Sequence, residues 1–384
     1  KGEYLIYSKD IGGNEFGQLF RLDLKTMESK LLTDGGRSQN GGIMWKKDGS
    51  GFYFSSTKRN GGDRDVYYMN PLKPEETRLV LEVKGGGWRI NDISSDGKKL
   101  IIGEYVSANE SHLYLFDTET QKLQSITDRN EKQIVQGSAK FAKNPDEIWY
   151  VTDRDNEFDR LATLNLKTKK ISYFTSAIPW EVSGYTLSKD MSKIAFETNE
   201  SGLNKLYLMD TNSKKYSEIK GLPVGLVNNF DFTDDGKSLF FSQSTYDSSA
   251  DIYRLDLASG KIERWTDSEQ GEMQKADMSQ PKLIEWKSFD DMKITGFYYP
   301  VSKKFTGKRP VLINIHGGPE GQSMASSLGS GNYYTNEMGV ALIYPNVRGS
   351  SGFGKTYIAS DNGFNRMNSV KDIGSLLDWI AKQP

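Results

Sequence analysis

Two glycine-rich segments near the end of the chain contain the residue types best suited to chemistry. His316-Gly317-Gly318 and the segment 348–352 (Arg-Gly-Ser-Ser-Gly) each follow an apolar run, at 311–315 and 340–344. Both runs are short and largely β-branched, without alternation, which is typical of parallel strands that are covered on both faces. Open α/β sheets bind their ligands at the carboxyl edge of such strands. The sequence therefore predicts a functional site where the two segments meet.

These segments and the sequence after them resemble the catalytic domain of the prolyl oligopeptidase family of serine peptidases, especially its acylaminoacyl-peptidase-like branch. The resemblance rests on HGGP at 316–319, NVRGSSGFGK at 346–355 and SVKDIGSLLDWI at 369–380. Loops similar to HGGP also occur in lipases and esterases. The three sequences in this order imply a peptidase that hydrolyses short peptides through an acyl-enzyme. An esterase of the same fold and a non-catalytic propeller binding module are the alternatives.

The resemblance implies an oxyanion hole in the loop that follows the first strand. Its main donor is expected to be the backbone N–H of Gly318, with Gly317 and His316 forming the rest of the loop. Other branches of the family carry a Tyr at the position of His316 and use its hydroxyl as a donor. A histidine here therefore implies greater dependence on the backbone N–H. A tight turn that needs glycine at positive φ is the alternative interpretation, and both can hold together.

The resemblance also implies a salt bridge between Arg348 and Asp372, which would fasten the loop 348–354 to the following helix and so support the site. The alternatives are a solvated charge for Arg348 and a helix-capping role for Asp372, which lies three residues after Ser369 as in a capping box. One face of that helix is predicted to be apolar, with Val370, Ile373, Leu376, Leu377 and Ile380 at helical spacing.

No residue of a catalytic triad is identified within the chain. In the α/β-hydrolase order the nucleophile, acid and base follow this helix, so they are expected after Pro384. Ser323 lies in Gly-Gln-Ser-Met-Ala, which superficially resembles a nucleophile elbow but follows a loop and not a strand. Ser350 and Ser351 are expected to shape a turn. The chain is therefore expected to be inactive by itself.

A repeat fills the chain before these motifs. Strands rich in aromatic and β-branched residues are predicted to begin at residues 4, 52, 100, 148, 194 and 239. A strand before the Asp-Gly turn and two further strand patterns accompany them, which gives about four strands per repeat and predicts the blades of a β-propeller. The pattern resembles the TolB-type repeat. Six repeats are visible, the first of them incomplete. We expect an upstream segment to complete a ring of seven or eight blades in the parent protein. Alternatively, a strand near 273–278 fills the gap in the first repeat.

We thus expect a β-propeller at 1–270, followed at 271–384 by the N-terminal part of an α/β-hydrolase domain that stops before the nucleophile elbow. The second region is predicted to open with a hairpin whose strands are 283–289 and 294–299. His112 begins a blade strand and is expected to be structural.

The composition limits the classes of molecule that the protein is expected to bind. The 384 residues include 50 basic and 51 acidic side chains, so there is no sequence-wide charge that would favour nucleic acid or an anionic membrane, and short peptides are the expected partners. No cysteine is present, and no metal or other cofactor is predicted. No apolar run is long enough to predict a membrane-spanning segment. Because the chain begins without Met, a signal peptide upstream remains an option. Compartment and oligomeric state are left open.

Overall fold

The computed structural model describes residues 2–269, 271, 273–318 and 320–383. Within these residues the chain forms seven β-sheets, which divide between two compact units. The first unit consists of residues 1–154 and 161–173, and the second of residues 155–160 and 174–384. Pro319 of the HGGP motif and Pro384, after which the triad is expected, lie outside the described residues.

The first four sheets are antiparallel, with the strands of each sheet adjacent in sequence order. The first sheet has three strands: β1 (Tyr4–Lys9), β2 (Gln18–Asp23) and β3 (Ser29–Leu31). The next two have four each: β4 (Asn40–Trp45), β5 (Phe52–Ser56), β6 (Asp65–Asn70) and β7 (Lys73–Leu81), then β8 (Trp88–Ile93), β9 (Lys99–Ser107), β10 (Glu110–Asp117) and β11 (Lys122–Ser125). The fourth contains β12 (Gln136–Phe141), β13 (Glu147–Thr152), β14 (Arg160–Asn165) and β15 (Ile171–Tyr173).

The second unit contains two further four-stranded antiparallel sheets of the same order. The fifth sheet contains β16 (Glu181–Leu187), β17 (Lys193–Asn199), β18 (Asn204–Asp210) and β19 (Tyr216–Glu218). The sixth contains β20 (Leu226–Phe232), β21 (Ser238–Thr245), β22 (Ser248–Asp256) and β23 (Ile262–Arg264). We call the first six sheets the blade sheets. Within each unit, neighbouring blade sheets bury aliphatic and aromatic side chains against each other.

The seventh sheet differs from the blade sheets because it combines antiparallel and parallel pairs. Its strands are β24 (Lys282–Lys287), β25 (Lys293–Tyr299), β26 (Val311–Ile313) and β27 (Ala341–Asn346), in the order β24-β25-β27-β26. Two helices follow, α1 (Lys355–Ala359) and α2 (Arg366–Ala381). Leu376 of α2 packs against Trp286 and Ile343 of the sheet. Among the described residues, no helix has the length and apolar character needed to cross a membrane.

The repeat predicted from the sequence is confirmed, because each predicted strand begins within one residue of an observed strand. In all six blade sheets, the strand that follows the predicted one ends in Asp or Asn, and this side chain bonds to the backbone of the turn after it. Asp23 Oδ1 accepts hydrogen bonds from the N–H groups of Lys25 and Thr26, at 2.8 and 2.9 Å. Such a side chain fixes the turn that follows the strand. The incomplete first repeat forms the three-stranded sheet. The alternative strand near 273–278 is wrong, because Lys275–Asp277 is a 3₁₀ turn.

Two details of the last region differ from the sequence-based expectation. The capping box is wrong: α2 begins at Arg366, and Ser369 Oγ donates within the helix to the Arg366 carbonyl. The prediction that both apolar runs are covered on two faces holds for β27 but not for β26, which is an edge strand with Leu312 exposed. The predicted hairpin is confirmed as β24 and β25, and His112 is fully buried, as expected of a structural residue.

Glu197 on β17 provides a test of burial in the fifth sheet. Its Oε2 accepts a hydrogen bond from Asn204 Nδ2 at 2.9 Å, and no ion pair to it occurs in the part of the chain that the structure describes. Burial raises the pKa of Glu197. A raised carboxyl pKa means that the folded state loses stability as the pH rises through that pKa. We therefore expect Glu197→Gln to stabilise the protein at pH 7–8, on the order of 1 kcal/mol.

The measurement is thermal unfolding at two pH values. The gain from Glu197→Gln should vanish near pH 3, below the unfolded pKa of about 4.3, where the wild-type carboxyl is protonated in both states. Glu200→Gln, in the turn after β17, is the matched control, because Glu200 pairs with Lys205 at 2.7 Å and should gain nothing. An equal gain at both pH values would contradict the assignment of the effect to charge burial.

Candidate active site

The parallel pairing of β26 with β27 places two loops at one edge of the seventh sheet. The strands run side by side in register, so their carboxyl ends coincide. We call residues 314–322, after β26, the glycine loop, and residues 347–354, after β27, the arginine loop. The residues that the sequence singled out thus lie at the same sheet edge.

The imidazole of His316 joins the two loops. Its Nε2 lies 2.9 Å from Ser350 Oγ, and the Ser350 hydroxyl donates to the Val347 carbonyl at 2.6 Å. Because a hydroxyl has a single proton, Nε2 must carry a proton and donate to Ser350. The Ser350 side chain is fully buried and stabilises the turn, as expected from the sequence.

Gly318 occupies a backbone conformation that only glycine adopts readily. Its φ is +122°, and a β-carbon there would lie 2.5 Å from the Glu320 nitrogen. Gly317 has open space at the same position. Neither the Gly317 N–H nor the Gly318 N–H donates a hydrogen bond to any residue that the structure describes. The glycine loop therefore presents two exposed backbone donors at the sheet edge.

Arg348 anchors the arginine loop to α2 through Asp372. The Arg348 Nη2 and Asp372 Oδ1 atoms are 2.8 Å apart, and the Arg348 N–H donates to Asp372 Oδ2 at 2.9 Å. Ser288 Oγ donates to the same carboxylate at 2.5 Å. Asp372 is fully buried and Arg348 is 4% exposed. The ion pair suggested by the sequence is thus present, and it fixes the start of the arginine loop.

Asp290 is a second carboxylate on Arg348 that the sequence did not reveal. Its two oxygens accept from Nη1 and Nη2 of Arg348, both at 2.8 Å. These hydrogen bonds lower the pKa of Asp290 to about 2. They also raise the pKa of Arg348. Asp290 lies in the turn between β24 and β25, where the sequence predicted only a hairpin connection.

The segment that follows the glycine loop is held beneath β27. Asn346, which is fully buried, accepts from the Ser323 N–H at 2.7 Å and donates to the Ser323 carbonyl at 2.9 Å. The Ser323 hydroxyl donates to the Pro345 carbonyl at 3.3 Å. Ser323 is itself buried and does not follow a strand, which agrees with its rejection as a nucleophile.

Turns and strand ends of the blade sheets also contact this region within the second unit. Glu157 accepts from the N–H and the hydroxyl of Thr356, at 2.8 and 2.7 Å. Glu181 accepts from the Gly354 N–H at 3.0 Å. Asn199 at the end of β17 donates to Gln322 at 2.6 Å. Sequence reasoning missed these contacts, since nothing in the sequence pattern links a blade turn to a residue so far along the chain.

Comparison with known families identifies the blade sheets. Residues 1–268 match the family model described as the prolyl oligopeptidase N-terminal β-propeller domain. The chain belongs to the prolyl oligopeptidase family. The blade sheets therefore have the β-propeller fold predicted from the repeat, and the resemblance drawn from the sequence motifs is confirmed at the level of the family.

Individual relatives support the same family. The prolyl endopeptidase of Elizabethkingia meningoseptica is 22% identical over 410 residues, which covers 100% of this chain and 55% of the relative. A crystal structure of puromycin hydrolase has a TM-score of 0.81 at 16% identity and covers 99% of this chain and 63% of that one. The structure of prolyl oligopeptidase B from Galerina marginata, bound to a 35mer substrate, has a TM-score of 0.82 at 14% identity. The match covers 99% of this chain and 56% of that one.

The chain spans about half the length of the curated prolyl endopeptidases that it matches. The comparisons thus give the family and the fold of this chain. The catalytic assignment of His316, Gly317 and Gly318, and the supporting role of Arg348 and Asp372, remain predictions.

Proposed function

We propose that the complete protein is a serine-type peptidase that hydrolyses short peptides through an acyl-enzyme. In this proposal, residues 1–270 form the propeller and residues 271–384 the first part of an α/β-hydrolase domain. The observation that carries it is the pair of exposed N–H groups at Gly317 and Gly318, which have no acceptor among the described residues. They lie at the carboxyl edge of a parallel strand pair, in a chain of a family whose relatives are peptidases.

The surface of the last region supports the assignment to a larger domain. β26 is at the edge of the seventh sheet, with Leu312 and Ile315 half exposed beside it. Val370 and Leu377, predicted to share the apolar face of α2, are also exposed. An open edge flanked by apolar side chains is normally covered in a folded protein. We propose that further strands of the hydrolase domain pair with β26.

We extend this proposal to the position of the nucleophile. An oxyanion donor has to lie within about 3 Å of the oxygen that becomes charged, so the nucleophilic serine must be beside Gly318. The strand that pairs with the open edge of β26 would end next to the glycine loop. We therefore propose that this strand bears the serine on the turn that follows it, as in a nucleophile elbow.

Within this proposal each described residue has a defined task. The Gly318 N–H, and with it the Gly317 N–H, donates to the carbonyl oxygen as it gains charge during attack by the serine. Arg348 and Asp372 hold the arginine loop, which in turn holds His316. The propeller limits substrates to peptides of modest size. Support for peptides as substrates comes from the relative whose structure contains a 35mer.

A fluorophosphonate probe tests where the nucleophile lies. The 384-residue chain should remain unlabelled, because no elbow serine is present in it, whereas the full-length protein should be labelled stoichiometrically. Labelling of any serine in this chain, including Ser323, would contradict the proposal.

Substrate assays test the class of hydrolase. The full-length protein should cleave short peptides rapidly and large folded proteins slowly. A protein that hydrolyses esters but no peptide would be an esterase of the same fold. Failure of the full-length protein to react with the probe would favour a binding module.

A further inference from the structure

The glycine loop is fastened from both sides. On one side His316 Nε2–H donates to Ser350, as described above, and the Ser351 N–H donates to the Gly321 carbonyl at 3.1 Å. On the other side Gln322, the last residue of the loop, meets Asn199 of the propeller. The segment that contains Gly318 is thus held between the arginine loop and a blade turn.

The Asn199 side chain is itself fixed in orientation. Its Oδ1 accepts from the Gly202 N–H at 2.9 Å, so its Nδ2 must point away from that turn and donate to Gln322 Oε1 at 2.6 Å. Asn199 is 7% exposed. A buried amide in a single orientation constrains its partner more strongly than an exposed one, because it cannot exchange that partner for water.

Two further observations show that the segments around the Asn199 and Gln322 side chains are closely packed. Gly352 of the arginine loop has φ +87°, and a β-carbon there would lie 2.5 Å from both Asn199 and Gln322. The Ala325 N–H donates to the Gly202 carbonyl at 3.0 Å. The blade turn, the arginine loop and the end of the glycine loop therefore pack against one another with no space for a side chain between them.

From these contacts we infer that Asn199 is a positioning residue for catalysis, located in the propeller and acting through Gln322 on the orientation of the Gly318 N–H. His316 does the same from the other side through Ser350. The inference rests on the proposed function. An oxyanion exists only in the transition state and the intermediate, so a displaced donor lowers kcat and leaves substrate binding nearly unchanged.

The test uses the full-length protein with Asn199→Ala. For a short peptide, kcat should fall roughly 10-fold while KM stays within about 2-fold, because a small misplacement of a catalytic group already costs up to about 10²-fold. Inhibition by a peptide aldehyde should weaken by a similar factor. The serine oxygen adds to the aldehyde carbon, its proton passes to the base, and the former carbonyl oxygen then occupies the oxyanion position. Inhibition by the product peptide, which forms no such adduct, should not change.

Further variants separate positioning from general disruption. Gln322→Ala should reproduce the effect, and the double variant with Asn199→Ala should be no worse than either single one, since both remove the same contact. Ser350→Ala should also lower kcat without changing KM. Asn212→Ala, an exposed turn position in the same blade, is the matched control and should behave as wild type.

The results of these experiments distinguish this inference from the proposed peptidase function on which it rests. An unaltered full-length protein that cleaves no peptide would overturn both. Normal cleavage by the unaltered protein, together with unchanged kcat and aldehyde inhibition in Asn199→Ala, would overturn this inference alone. A parallel loss of product-peptide binding would also overturn it, because the residue would then act on substrate binding.

Discussion

Removal of the Gly318 N–H from the full-length protein should lower kcat by roughly 10²–10³, the usual effect of losing one oxyanion donor. The change has to be made in the backbone. Proline has φ near −65° and cannot adopt the φ of +122° found at Gly318. Alanine would place its β-carbon 2.5 Å from the Glu320 nitrogen. Glycolic acid at position 318 replaces the amide by an ester, which deletes the N–H and keeps the shape of glycine.

The ester variant is compared with wild type in steady-state kinetics on a short peptide, where KM should change little. Glycolic acid at Gly307, in an exposed loop, controls for the effect of an ester bond and should leave kcat unchanged. An ester at position 318 that leaves kcat at the wild-type value, in a protein with normal thermal unfolding, would reduce Gly318 to a turn residue.

The propeller was predictable because its determinants are local. The Asp or Asn at the end of a blade strand bonds N–H groups two and three residues later, as Asp117 does with Glu119 and Thr120. Glycine at positive φ, as at Gly97 and Gly236, marks the turn before the next strand. Each signal lies within a few residues of the structure that it specifies, and the repeat shows it several times.

The candidate site was only partly predictable, because its contacts are long-range. Arg348 was paired with Asp372 from a family resemblance, but Asp290, 58 residues before Arg348, gave no signal. Asn199 and Gln322 are 123 residues apart. Neither side chain differs in type from many surface amides, and only the folded chain brings them together.

The apolar run of β26 led to a further error of the same kind. Val311 to Ile315 was expected to be covered on two faces, yet Leu312 is 44% exposed. The residue types of a strand indicate the environment to which it is suited. They do not indicate which other segments of the protein provide that environment. Leu312 of β26 is exposed in this chain, and this supports the proposal that further strands cover the edge.

Loss of the buried carboxylate on Arg348 should have the largest effect on stability. Asp372→Ala should destabilise the protein by about 3–5 kcal/mol, because it leaves the buried Arg348 charge with only the partly exposed Asp290 as counter-ion, and it leaves the Arg348 N–H and the Ser288 hydroxyl without their buried acceptor. Asp290→Ala is the matched control on the same arginine. The Asp290 side chain is 41% exposed, so water replaces it and the loss should be about 0–1 kcal/mol.

Denaturant unfolding of the three proteins at pH 7 measures this difference. Arg348→Met combined with Asp372→Leu should recover part of the loss, since two apolar groups of similar size leave no charge to bury. The contribution of Asp290 to the free energy of unfolding has its own pH dependence. The folded pKa of Asp290 is about 2, below the unfolded value of about 3.9, so its contribution is full above about pH 5 and is lost as the pH falls through 2. Equal losses from Asp372→Ala and Asp290→Ala would show that burial does not set the strength of this ion pair, and the arginine loop would then need another anchor.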